Sequence, residues 1–115
     1  RKVLIEGKTA LEMARSLIEP AATAEFGVVC QAVAAAKQAG VEEGTASVSD
    51  VARTLGRGLD ALHRACADLE TALARDPADI LTALGTLRAT VDKLEEDVDD
   101  ARWPLPKYRD MLFVY

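Results

Sequence analysis

The sequence predicts an all-α fold: an antiparallel three-helix bundle, its first helix kinked near Pro20, with an extended aromatic C-terminal tail. Three observations predict it. The 115 residues are 50% hydrophobic but only 4% aromatic, and alanine and leucine supply most of the apolar side chains. These two are strong helix formers, whereas strands favour β-branched and aromatic residues. Apolar residues recur at spacings of three and four over long stretches, the period of one helix face. Turn signals separate those stretches: Gly40 and Gly44 lie between the first and second, and Asp76-Pro77 between the second and third. A chain of this length builds one hydrophobic core and buries about two thirds of its unfolded surface.

Residues 1–8, RKVLIEGK, form a short apolar run ended by glycine and read as a connector. Thr9-Ala-Leu-Glu12 then fits a capping box, in which the threonine hydroxyl and the glutamate each satisfy a free backbone N–H. Leu11, Ala14, Ile18, Ala21, Val28, Ala32 and Ala36 follow at helical spacing. They predict a first helix over about 10–39. Pro20 removes a helical hydrogen bond and crowds the preceding turn, so the helix should kink or break near Glu19–Pro20. Gly40 is a plausible stop.

Residues 40–48, GVEEGTASV, read as a loop, with Ser47 or Ser49 capping the next helix. That second helix, over about 50–75, carries Val51, Leu55, Leu59, Leu62, Cys66, Leu69 and Leu73 as its apolar seam. Asp76-Pro77 restarts the chain: aspartate is a good N-cap, and proline is tolerated at the first helical position. A third helix over 77–101 carries Ile80, Leu84, Leu87, Val91, Leu94, Val98 and Ala101. Two seams of period 3.5 joined by a short turn should pack antiparallel, with the first helix in their groove. The bundle then spans 9–101 and the tail 102–115.

Charge and cysteine usage narrow the function. A net charge of −5 argues against a nucleic-acid partner, which needs a basic face to neutralise phosphates. The longest uncharged apolar stretch, Phe26 to Ala36, is about half of what spans a bilayer, so no membrane partner is expected. Cys30 and Cys66 form neither a zinc pattern nor a disulfide framework, which favours reduced thiols and a cytoplasmic location. The chain opens with Arg1, and reads as a piece of a longer protein.

No spacing of reactive residues builds an active site. His63 is the single histidine. Histidine phosphotransfer modules place lysine and glycine three and four residues after theirs, where this chain has Cys66 and Ala67. Asp60-x-x-His63 has the spacing of half a di-iron site, but such bundles need a second histidine. Glu95, Glu96, Asp97, Asp99 and Asp100 lie on a predicted helix, without the alternating ligands and glycine turn of a calcium loop. They read as a solvated face. No phosphate loop or nucleophile–base set is present. The expected catalytic, cofactor and metal residues of this chain are therefore none.

The tail differs from the rest. Four of the five aromatics fall in the last thirteen residues, and residues 102–115 carry Arg102, Lys107 and Arg109 against Asp110. Residues 76–101 hold eight acids and two bases. Trp103-Pro-Leu-Pro106 cannot continue a helix, and it lacks the P-x-x-P of a proline-motif ligand. Aromatic and arginine residues favour interface centres. Trp103, Leu105, Tyr108, Met111, Leu112 and Phe113 are thus the candidate contact residues, either folding back on the bundle or docking on a partner surface.

Trp103-Pro-Leu-Pro-Lys-Tyr-Arg-Asp-Met-Leu-Phe113 resembles the C-terminal signature of type III glutamine synthetases. Ile5-Glu-Gly-Lys-Thr9, Leu11-Glu-Met-Ala14 and Ile18-Glu-Pro-Ala21 are similar to the stretch of that family where a helix leaves the catalytic region. The loop 40–48 has no counterpart in the resemblance. The resemblance implies a parent ligase that joins ammonia to glutamate with ATP and magnesium, in a large ring-based homo-oligomer. Its ligand residues would lie upstream, so none is carried over to this chain. The chain itself would be a non-catalytic C-terminal helical domain, with its own catalytic domain and neighbouring subunits as partners. A regulatory docking module and an unrelated helical adaptor are the alternatives.

Overall fold

The computed structural model describes residues 2–98. Among the described residues the fold is all helix, without a strand: α1 is Lys2–Met13, a π-helical turn is Ala14–Ile18, α2 is Glu19–Ala39, α3 is Thr45–Ala72 and α4 is Pro77–Glu96.

The N-terminal stretch, expected to be a connector, is helical from Lys2. Thr9 and Glu12 therefore sit inside α1, and no capping box forms there. Gly7, which suggested a break, is a buried helical residue. A Cβ at this position would stand 2.8 Å from Leu73 Cδ2 and 3.1 Å from Ile80 Cγ2. The glycine lets α1 close onto the turn between α3 and α4.

Pro20 is accommodated by the π turn rather than by an interruption. The Glu19 N–H donates to the Ala14 carbonyl, five residues back, and the Ser16 hydroxyl donates to the Glu12 carbonyl at 2.7 Å. Widening the turn by one residue absorbs the hydrogen bond and the space that proline denies to a regular helix. Helix then continues to Gly40, whose left-handed φ of 73° closes α2. The run Lys2–Ala39 is 38 residues long. An α-helix of that length measures about 57 Å, which matches the longest dimension of the molecule, 57 Å, against 23 and 18 Å across.

The extra residue also changes which side chains face inward. Leu11, Ala14 and Ile18 are buried as the spacing predicts, but the line then runs through Ala22, Phe26 and Val29. Ala21 is only partly buried, and Val28 and Ala32 are exposed.

α3 starts earlier than expected. Gly44, at φ 83°, precedes Thr45 as its N-terminal residue, so Ser47 and Ser49 lie within the helix and cap nothing. Its seam buries Leu55, Leu62, Cys66 and Leu69, with Leu59 and Leu73 half-buried. Val51 is exposed. The described part of the α4 seam, Ile80, Leu84, Leu87, Val91, Leu94 and Val98, is buried throughout; Ala101 lies outside the described residues. α4 begins as the sequence predicts. The Asp76 carboxylate accepts from the Asp79 N–H at 3.0 Å, and Pro77 occupies the first turn. Asp76→Ala is expected to cost about 1 kcal/mol of stability, measured by urea denaturation followed by circular dichroism.

α3 packs against both α2 and α4, and α1 packs against α4 and α3. Paired positions run in opposite order. Gly7 lies against Leu73, Arg15 reaches Glu70, Glu19 faces His63, and Phe26 covers Gly56. Across the other seam Gly58 lies under Leu94. Among the described residues the core holds no buried polar or charged side chain, so its cohesion is apolar packing.

Candidate functional site

A cavity of about 660 Å³ opens between α3 and α4, the size of a small-molecule pocket. Gly58, Ala61 and Ala89 keep its walls low, and Leu94 adds an apolar surface. Arg57 and Arg64 come from α3, seven residues and about 10 Å apart on one face. Lys93 comes from α4, with Asp97 at 3.7 Å from its ammonium. Three cations against one carboxylate give this groove a positive balance in a chain of net charge −5. Thr86 and Thr90 also line it, but their hydroxyls donate to the Thr82 and Thr86 carbonyls at 3.3 and 2.8 Å. They offer lone pairs rather than protons. The arrangement can attract an anion; among the described residues it places no nucleophile beside a base.

A second polar pair crosses from the π turn to α3. The Arg15 guanidinium donates to Glu70 Oε1 at 3.0 Å. That hydrogen bond raises the Arg15 pKa and holds the Glu70 carboxyl below its ordinary value. Both groups are solvent-exposed, and pairs of this kind contribute little to stability.

The residues singled out in the sequence are scattered. His63 is exposed, with Nδ1 4.0 Å from Glu19. Among the described residues no group of three or more histidine, cysteine or acidic side chains is placed to hold a metal ion. Asp97 turns to Lys93, and Asp99 and Asp100 lie outside the described residues. So do all six candidate contact residues, Trp103, Leu105, Tyr108, Met111, Leu112 and Phe113. The groove cations went unread in the sequence. Arg57 and Arg64 at a two-turn interval around Gly58 and Ala61 are a visible signal, but only packing brings Lys93 opposite them.

Both cysteines are free thiols, Cys30 exposed and Cys66 buried. Burial pushes the Cys66 thiol above its usual 9.0, with Arg15 pulling weakly the other way. Exposed Cys30 is expected to react with a thiol reagent in the folded chain, and buried Cys66 only after unfolding. Because the folded state holds the Cys66 proton more tightly, this contribution is intact below pH 9.0 and is lost as pH rises above it. Cys66→Ala should flatten stability against pH in that alkaline range.

Among the described residues one helix, Lys2–Ala39, is long and apolar enough by length and composition to cross a membrane; 11% of its most apolar window is buried. It also supplies Ala14, Ile18 and Ala22 to the core.

No protein-family profile matches the chain, and no solved structure does. One stretch of 30 residues is 53% identical to a glutamine synthetase from Bacteroides fragilis (strain YCH46). That stretch is 26% of this chain and 4% of the enzyme's length. The chain therefore contains a glutamine synthetase-related region.

Proposed function

We propose that this chain is a non-catalytic C-terminal helical domain of a type III glutamine synthetase, an antiparallel three-helix bundle that braces the assembly of its parent. The observation that carries the reading is the 30-residue stretch at 53% identity to a glutamine synthetase. The Trp103–Phe113 signature supports the type and the position. The reversed order of paired residues between neighbouring helices supports the bundle. In this reading the parent is a cytoplasmic ligase that uses ATP and magnesium upstream of this domain, and the domain's partners are its own catalytic region and neighbouring subunits.

Deleting residues 102–115 from the full-length parent tests the structural role. The expected result is a smaller particle by sedimentation velocity, with loss of glutamine formation following loss of assembly. A fully assembled, fully active particle would count against it. The cationic groove favours a second, regulatory reading, in which Arg57, Arg64 and Lys93 hold an anionic effector. Replacing all three with alanine would then leave assembly and basal activity intact while control is lost. A parent without any ligase region upstream of Arg1 would leave an unrelated helical adaptor.

A further inference from the structure

The groove between α3 and α4 carries charge that the fold does not use. Arg57 and Arg64 line it, and among the described residues neither makes a hydrogen bond or an ion pair. Acids stand close by on the same helix. Asp60 lies between the two arginines and Asp68 one turn past Arg64, yet neither is paired with them. On the facing helix, Leu94 packs over Gly58, so its neighbour Lys93 stands beside the same stretch of groove. Thr54 lines the cavity with a hydroxyl that makes no hydrogen bond among the described residues, whereas those of Thr86 and Thr90 are committed to helix carbonyls. Three cations against the single carboxylate of Asp97 leave a balance of +2 around the cavity of about 660 Å³. Gly58, Ala61 and Ala89 line the same space with nothing larger than a methyl group.

We propose that this groove binds a small phosphate monoester with a flat apolar body. Arg57, Arg64 and Lys93 hold its phosphoryl group, and its body rests on Gly58, Ala61 and Ala89. Charge selects the phosphoryl group: a monoester carries roughly −1.5 to −2 near neutral pH, which matches the balance of the lining better than a single carboxylate does. The arginines suit it as well, because a guanidinium fork meets phosphate oxygens two at a time. The room selects the body. The cavity lies within the range of about 300–1,000 Å³ that holds small organic ligands, far more than a bare anion fills, and its low walls leave space for a ring. The proposal deepens the regulatory reading of this groove and rests on the same three cations. Binding is measured on this chain alone, so it can hold even where control of a parent enzyme fails.

Phenyl phosphate is the probe, titrated calorimetrically into the full 115-residue chain at low salt. The expected result is one bound ligand per chain, with inorganic phosphate, benzoate and phenol each at least tenfold weaker. Arg57→Gln and Arg64→Gln should each weaken binding at least fivefold, and Arg64→Lys, which keeps the charge and loses the fork, by less. All are exposed helix positions taking good helix formers, and circular dichroism checks that helicity is unchanged. Arg53→Gln is the control: Arg53 lies on the same helix but is paired with Asp50 at 2.6 Å, and its loss should leave the affinity unaltered. Ala89→Leu should weaken phenyl phosphate while leaving inorganic phosphate as it was, because the added side chain takes the space of the ring. Three outcomes overturn the proposal: no binding of phenyl phosphate at millimolar concentration; inorganic phosphate binding as tightly as the ester, which reduces the site to a bare-anion patch; or Arg53→Gln weakening binding as much as Arg57→Gln, which reduces it to diffuse charge attraction.

Discussion

Leu87→Ala is expected to destabilise the chain by about 3 kcal/mol, within the range for leucine truncation at sites that cannot collapse. Leu87 is fully buried at the middle of the α4 seam, between Leu84 and Val91. The loss combines the transfer free energy of the removed carbons with a cavity that neighbours on a rigid helix cannot fill. A domain of this size holds roughly 5–15 kcal/mol in all, so the variant should lose a large part of its margin. Urea denaturation is the measurement. Leu81→Ala is the control: its side chain is 55% exposed on the same helix, and the change should stay within about 0.5 kcal/mol. Equal effects at the two positions would contradict the packing described.

Gly58→Val should destabilise by about 2 kcal/mol through overpacking, although helix propensity alone favours valine over glycine. A Cβ at Gly58 would stand 2.6 Å from Leu94 Cδ1, and Leu94 is itself fully buried. The helices must separate or Leu94 must leave its rotamer. Gly85 supplies the opposite sign. Nothing lies within 4 Å of its added Cβ, so Gly85→Ala should stabilise by about 0.5–1 kcal/mol. A thermal scan of both variants reads the two signs. If Gly58→Val melted higher than the unaltered chain, the close α3–α4 approach would be wrong.

The helices that pack most regularly were the most legible in the sequence. The α4 seam could be read residue by residue because nothing perturbs its phase and its cap is a local Asp-Pro signal. α3 was legible along its length, but Val51 was read as core. The pattern of one helix does not reveal where its neighbour ends. Helix one was misread twice for physical reasons. Gly7 carries the same letter whether it breaks a helix or lets two helices touch, and only Leu73 and Ile80 above it decide. Pro20 announced a disturbance, but the disturbance widened a turn instead of ending the helix, so the inward line moved from Ala21 and Val28 to Ala22, Phe26 and Val29. The candidate groove was less legible still. Its cations come from helices joined by a turn but distant along the chain, and no spacing rule links Arg57 or Arg64 to Lys93.

The π turn at Ala14–Ile18 has a consequence of its own. One surplus residue works as a phase shifter between two otherwise regular screws. Deleting a residue there would restore the common pitch and leave everything beyond it facing as before, because the wide turn already absorbs the surplus residue. Leu11 and Phe26 would both keep their seats. The two halves of the longest rod are keyed to their neighbours separately, and the turn is where the two keys are reconciled.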